Sequence, residues 1–338
     1  MDHRFDLLGL PRLAFDNIYQ YLGFEDIILL AACSKRTQAS VKAKEGFLKK
    51  VTACELYIDG DSERHIMLED VGRFQNRYTF IIDVWTLNPL HNWFGYKLIE
   101  GTFRGTHWQI QRIPDNWKVY GDTLDVILSW YQFVKDTFNC HLTIYIRLRN
   151  NFAEQVDELY ETDVLHVADK MTLRYGRITN FQMKHILDNV EAHELQLSAY
   201  PLDCFQYDKV LTRIPIISLV RPLWLSTDQT WEMVQGGVRQ MDFPEIVSWT
   251  SWKFNRFLRK WLKSDNKTLE YMRFAFDKGV CIPAMIFDGI ATTPATIGTG
   301  RVICRGDGVR ATIVLQGKIA NREYYSSFRV CHDPNRNL

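Results

Sequence analysis

Between residues 150 and 276 short apolar runs alternate with helix-like segments, and this rhythm restricts the fold more than any other feature of the chain. "KMTLRY" around Leu173 precedes "NFQMKHILDNV", and "HELQLSA" around Leu195 begins the next unit. "PLWLST" around Leu223 precedes "DQTWEMVQ", and the helix-like "WKFNRFLRKWLK" precedes "TLEYMRFAF" around Leu269. The strand-like runs stand 22, about 28 and about 46 residues apart, the last interval equal to two units of about 23. A parallel strand needs a crossover to return to the same end of the sheet, and a helix supplies it. The spacing therefore predicts one parallel strand and one returning helix per unit, a layout that resembles degenerate leucine-rich repeats.

The flanks read differently. From Val51 to about Gly121, "CELYIDG", "RYTFIIDVWTL", "FGYKLIEGTF" and "THWQIQRI" are rich in β-branched and aromatic residues and are separated by turn residues, which predicts strands. Ile81 to Trp85 is almost continuously apolar, as in an inner strand. A helix fits "DTLDVILSWYQFVKDTF", with Leu124, Ile127, Leu128, Tyr131 and Val134 along one side, and "HLTIYIRL" is a strong strand. After residue 281, "RVICRGDGVRATIVLQGK" and "REYYSSFRVCH" read as hairpins with glycine turns. The expected class is α+β or α/β. A small helical segment over 5–48 precedes an α/β domain over 51–338, which is strand-rich at 51–121, strand–helix at 122–276 and β-hairpin at 281–338.

The segment before residue 48 poses a separate question, because "LPRLAFDNIYQYLGFEDIILLAACSKRT" is mostly apolar and too short to enclose a core. Its longest apolar run near the start, Ile27 to Cys33, has seven residues, whereas a membrane span needs about 20. Asp2, His3, Arg4 and Asp6 interrupt the first residues, so they do not read as a secretory signal. Periodicity gives a first helix with Leu10, Leu13, Phe15, Ile18, Tyr19 and Leu22 on its apolar side, ended by Gly23. A second starts near Glu25 and is apolar nearly all round. A third, from Ser34 or Lys35, is basic. Such helices either cap the chain's own domain or dock in another protein's groove.

The same stretch resembles an F-box. Leu10-Pro11 opens it, Phe15 follows four residues after the proline, and Ile18 and Leu22 continue the pattern. Asp26-Ile27 makes the acidic-apolar step, and Ser34-Lys35-Arg36 closes it. Thr37 stands where the commonest F-box pattern has Trp, and this "CSKRT" variant is similar to a large nematode-type family carrying an F-box-associated domain of the second type. "FNRFLRKWLK" followed by the strand-like "TLEYMRFAF" also fits that family. The resemblance implies docking to the Skp-type adaptor of a cullin–RING ubiquitin ligase through Leu10, Pro11, Phe15, Ile18, Leu22, Ile27 and Leu30, with an unidentified protein target held by the remainder. Burying four or five such side chains contributes roughly 1.5–3 kcal/mol each before association costs.

Patterns of covalent chemistry are absent from the sequence. Gly306-Asp307-Gly308-Val309-Arg310-Ala311 matches a dinucleotide fingerprint in letters, but "TIVLQG" follows where that motif needs a helix, so a hairpin turn is expected. The histidines form no His-x-x-x-His or His-Glu-x-x-His arrangement, and His185 and His193, flanking a helix end, are expected in solvent. There is no Gly-x-Ser-x-Gly elbow and no phosphate-binding loop. Asp59 with Asp61, and Asp157 with Glu158, read as surface carboxylates. Seven scattered cysteines without a Cys-x-x-Cys pair fit reduced thiols of the cytoplasm or nucleus. Lys plus Arg, 41, balances Asp plus Glu, 40, and so favours neither nucleic acid nor an anionic membrane. The F-box resemblance implies a non-enzymatic substrate receptor, and no cofactor or metal is expected. The alternatives are an interaction scaffold whose helical cap packs on its own sheet, or an enzyme with a dispersed site. Trp85, Trp93, Trp108 and Trp117 are either a target-binding cluster or strand core, the latter being the more usual fate of strand aromatics.

Overall fold

The computed structural model describes residues 17, 22, 24–33, 35–43, 51–59, 63–71, 77–86, 98–103, 106–113, 116–121, 123–138, 140–148, 167–201, 204–246, 249–277, 281–295, 300–318 and 323–331. The fold is mixed α/β, with seven helices among the described residues. None of those helices is long and apolar enough to cross a membrane. The chain divides into two compact units, residues 1–145 and 146–338.

The first unit begins with α1 (Phe24–Cys33) and α2 (Lys35–Lys42). The helix expected over 10–22 lies outside the described residues except for Asn17, which is helical, and Leu22. β1 (Val51–Asp59), β2 (Glu63–Val71) and β3 (Arg77–Thr86) form an antiparallel run. β3 lies parallel to β6 (Asn116–Gly121), which pairs with β5 (Thr106–Ile113), itself paired with β4 (Leu98–Phe103). β7 (His141–Leu148) is the neighbour of β1 on its other side. The sequence reading missed β2 and β6. In β2 the charges of Glu63, Arg64, Glu69 and Asp70 dilute the pattern, although Ile66 and Leu68 alternate into the core. α3 (Thr123–Thr137) lies across β1, β2, β3, β5 and β6. It buries Ile127, Trp130, Tyr131, Phe133 and Val134, and Trp130 meets Trp117 edge-on with ring centroids 6.2 Å apart. This packing draws residues 122–145 into the first unit, whereas the sequence grouped them with the strand–helix segment. On the face away from α3, Tyr57 stacks between His65 and Tyr145 at 4.6 and 4.7 Å.

The second unit contains the predicted parallel ladder: β8 (Val167–Ile178), β9 (Glu191–Pro201), β10 (Ile216–Leu219), β11 (Gln240–Ile246) and β12 (Tyr271–Asp277). Met171, Leu195, Ile217, Met241 and Met272 are aligned across it, at steps of 24, 22, 24 and 31 residues. α4 (Asn180–Asn189), α5 (Thr227–Gln235) and α6 (Ser251–Leu262) return the chain after β8, β10 and β11. Among the described residues no helix joins β9 to β10.

"PLWLST" is not a strand. The strand ends at Leu219, and Arg221, at φ 50°, turns the chain. Leu223 and Leu225 then donate backbone hydrogen bonds to the carbonyls of Arg221 and Pro222. Pro222 has no amide hydrogen for a ladder, which explains why the apolar letters there do not extend the sheet. The unit expected within the 46-residue interval is occupied by β11.

The C-terminal hairpins continue this sheet. β16 (Glu323–Cys331) pairs antiparallel with β12, β15 (Arg310–Lys318) pairs with β16, and β14 (Arg301–Cys304) and the two-residue β13 (Thr293–Pro294) follow outward. A short helix, α7 (Pro283–Ile286), precedes them. The turn at Gly306-Asp307-Gly308 closes the β14–β15 hairpin, with Gly308 at φ 89°, a value that favours glycine, and Arg305 N donating to Val309 O. As expected, no helix follows it.

One face of α6 is core: Phe254, Phe257, Leu258 and Trp261 are buried and Leu262 half-buried. Phe254 meets Phe274 at 4.7 Å, and Trp261 meets Phe328 at 5.3 Å. Lys253, Arg256, Arg259 and Lys263 are exposed on the other face.

Candidate functional site

Two surfaces are partly open among the described residues, and the first is on α1. Its residues sort into two stripes by helical period. Ile27, Ile28 and Ala31 are sealed, with Ile27 at 2% exposure and Ile28 at 0%. Asp26, Leu29 and Leu30 are half-buried and Cys33 is exposed on the opposite stripe. The sealed side faces this chain. α1 packs on α2, and α2 packs on α3 through buried Thr37 and Val41. Gln38 Nε2 donates to Thr137 Oγ1 at 2.9 Å, and Thr137 Oγ1 donates to Phe133 O at 2.6 Å.

Of the residues expected at the adaptor contact, Leu10, Pro11, Phe15 and Ile18 lie outside the described residues. Leu22 and Leu30 are half-buried. Ile27 points into this chain's own interior, where it holds the helices together. Leu29, which the motif did not mark, shares the open stripe with Leu30. Helical spacing alone could have found it, since 26, 29, 30 and 33 follow one another at three- and four-residue steps.

The second surface is the face of the second unit's sheet opposite α4, α5 and α6. Strand residues alternate between faces, so Met171, Leu195, Ile217, Met241 and Met272 turn to the helices, and their sequence neighbours turn away. The open face is polar. Lys170 Nζ lies 2.9 Å from Glu194 Oε1, and Gln196 donates to the same oxygen at 2.8 Å. Arg273 grips Asp242 with two parallel bonds, Nε to Oδ1 at 2.7 Å and Nη2 to Oδ2 at 2.6 Å. The Arg329 guanidinium sits 5.9 Å from the Tyr271 ring centroid.

Ser327 lies between Arg273 on β12 and Val314 on β15. Its short side chain leaves a trough of about 310 Å³ walled by Tyr271, Arg273, Val314 and Gln316. Burial pushes the Tyr271 phenol above its ordinary pKa, so it stays protonated and able to donate. At the rim, Arg221 pairs with Glu245 and lies over the Tyr200 ring at 5.6 Å.

The sequence reading singled out none of these sheet residues. The signal was present in "YMRFAF", where Tyr271 and Arg273 alternate with Met272 and Phe274.

The remaining candidates fare variously. Trp117 is fully buried core. Trp93 lies outside the described residues, as do the side chains of Trp85 and Trp108. Asp59 is buried, contrary to the surface reading, and accepts a long bond from Tyr57 Oη at 3.5 Å. Asp61, Asp157 and Glu158 lie outside the described residues. His193 is exposed, but His185 is half-buried, its ring tilted against Phe181 at 6.3 Å. All seven cysteines are free thiols. Burial, then a hydrogen bond with Cys140, holds the Cys54 thiol well above its ordinary pKa, which makes it a poor nucleophile. Among the described residues no three His, Cys, Asp or Glu side chains converge as metal ligands.

No family model, curated protein or solved structure matches this chain.

Proposed function

We propose that this protein is the substrate-recognition subunit of a cullin–RING ubiquitin ligase, with the N-terminal helices docking to a Skp-type adaptor and the second unit holding a target protein. The observation that carries this reading is the open stripe of α1. A helix in the interior of a self-contained cap would bury its leucines, whereas Leu29 and Leu30, like Leu22, stay half-exposed in the segment that resembles an F-box. The chain itself performs no chemistry in this role, since ubiquitin transfer needs only that the target be held near the other subunits. The parallel ladder, with near-constant steps of 22 to 24 residues over its first four strands, is read as a degenerate leucine-rich-repeat array. The free cysteines accord with a cytoplasmic or nuclear setting.

A pull-down of the Skp-type adaptor by the full chain tests the assignment. Leu29→Asp with Leu30→Asp is expected to abolish capture while leaving the melting temperature within a few degrees of the parent. Capture that survives the double change removes the F-box assignment. The burial of Ile27, Ile28 and Ala31, together with the Gln38–Thr137 bond, favours a second reading, a scaffold whose helical cap serves only its own unit. That reading predicts no adaptor capture by the parent chain.

A further inference from the structure

α6 turns its apolar stripe to the core, yet its outer side is not uniformly polar. Trp252 stands on the side opposite buried Phe254, Phe257 and Trp261 and is 58% exposed. Ile282 N donates to Ser251 Oγ at 2.6 Å, and Asn255 Nδ2 donates to Ile286 O at 2.9 Å. α7 therefore lies along the 251–255 flank of α6, beside Trp252. Its lead-in and first turn are apolar and face outward: Ile282 is 48% and Met285 41% exposed, and Pro283 and Ala284 between them are exposed too. Five exposed apolar residues thus form one ridge on two elements, unlike the single surface hydrophobics that need no explanation.

The flank away from α7 is basic. α6 and its C-cap carry Lys253, Arg256, Arg259, Lys260 and Lys263 and no carboxylate. Against these stand Asp228 and Glu232 of α5 and Asp288 after α7, while Asp265 and Lys267 in the next loop cancel each other. Among the described residues of these elements the cations therefore outnumber the carboxylates by two. Arg256, its side chain 51% exposed, meets Asp228 only at 3.8 Å, while Lys260 holds that carboxylate at 2.7 Å. The near-neutrality of the whole chain, 41 basic against 40 acidic side chains, hides this local excess.

We propose that this ridge is a docking surface for an anionic lipid bilayer, with Ile282, Pro283 and Met285 entering the boundary between headgroups and acyl chains, Trp252 at headgroup level and Arg256 over lipid phosphates. A peptide's anchors are gripped in walled pockets, whereas here the apolar side chains themselves project, and a bilayer yields around a projecting ridge. The order across the surface is apolar residues, then an indole, then long cationic side chains. It matches the succession of hydrocarbon, headgroup and water at a membrane interface. Nothing in this contact depends on the receptor reading above.

Co-sedimentation of the full chain with vesicles tests the contact, using phosphatidylcholine alone and an equal mixture with phosphatidylserine. The mixed vesicles are expected to carry the protein down, less so as salt rises, and the neutral ones to leave most of it in solution. Arg256→Glu is expected to weaken binding about fivefold or more, and Trp252→Ser with Met285→Ser about tenfold or more. Phe181→Ser removes another exposed aromatic ring, on α4, and is expected to change nothing. All of these side chains are exposed, and thermal melts check the fold of each variant. Equal sedimentation with both vesicle types, sedimentation with neither, an equal loss in Phe181→Ser, or undiminished binding by the folded Trp252→Ser, Met285→Ser protein each overturns the proposal. So does a parent chain that ignores vesicles but self-associates in sedimentation velocity and becomes monomeric in that double variant, which assigns the ridge to a second copy.

Discussion

Arg305 leaves β14 at the hairpin turn with its side chain only 2% exposed, yet its charge is fully engaged. Nε and Nη2 donate to the two Asp307 oxygens at 2.9 and 2.7 Å, Nη1 donates to Asn266 O at 2.7 Å, and the guanidinium lies 5.2 Å from the Trp261 ring centroid. These contacts offset the cost of removing the charge from water, and they tie the hairpin to the loop after α6. Arg305→Ala leaves the Asn266 carbonyl without this donor and uncovers Trp261. It is expected to cost about 2–4 kcal/mol in urea unfolding. Asp307 gives a pH signature. Chiefly because Arg305 hydrogen-bonds it, its pKa falls from 3.8 to about 2. A carboxyl depressed in the folded state stabilises the fold above its unfolded pKa, and that support is lost as pH falls through the folded value. The Asp307 carboxyl carbon, followed by NMR, is therefore expected to titrate near pH 2, and in Arg305→Ala to return toward 3.8.

At the level of elements, the helices of the second unit declare their starts. Thr179 and Ser226 each accept from the backbone amide three residues on, Gln182 and Gln229, whose side chains accept in turn from the cap amides. Thr179→Ala and Ser226→Ala are each expected to cost about 1 kcal/mol, read as a lower urea midpoint at unchanged slope. The helix-like patterning of their apolar residues, rather than these boxes, made α3, α4, α5 and α6 legible from sequence. Strands were legible where β-branched or aromatic residues cluster, as in β1, β3 and β7. They were not where their apolar residues are few and neighbours set the pairing, as in β10, with four residues, or β11, which contains Pro244. On α1 the pattern showed a helix apolar nearly all round. It did not show which stripe the chain keeps for itself, because packing of α2 against α3 decides that, through contacts some 100 residues apart such as Gln38 with Thr137.

Across the molecule, the repeat rhythm carried most of the architectural information. It announced parallel strands with returning helices and a further unit within the long interval, without locating the strands β10 and β11 themselves. It could not announce the open face, since a polar residue between two buried ones has the same letter pattern whether that side meets water or a partner. Nor did it say where the ladder stops. β16 ends the parallel run by pairing antiparallel with β12, and the tail then adds strands outward to β13. That last strand has two residues, and one is Pro294. A longer rim would offer a row of unsatisfied amide donors on which another copy could template itself, and a ring nitrogen carrying no hydrogen breaks the row. Pro294→Val is thus expected to increase light scattering at high protein concentration while the melting temperature hardly moves. Growth by stacking copy upon copy is thereby checked at this edge of the sheet.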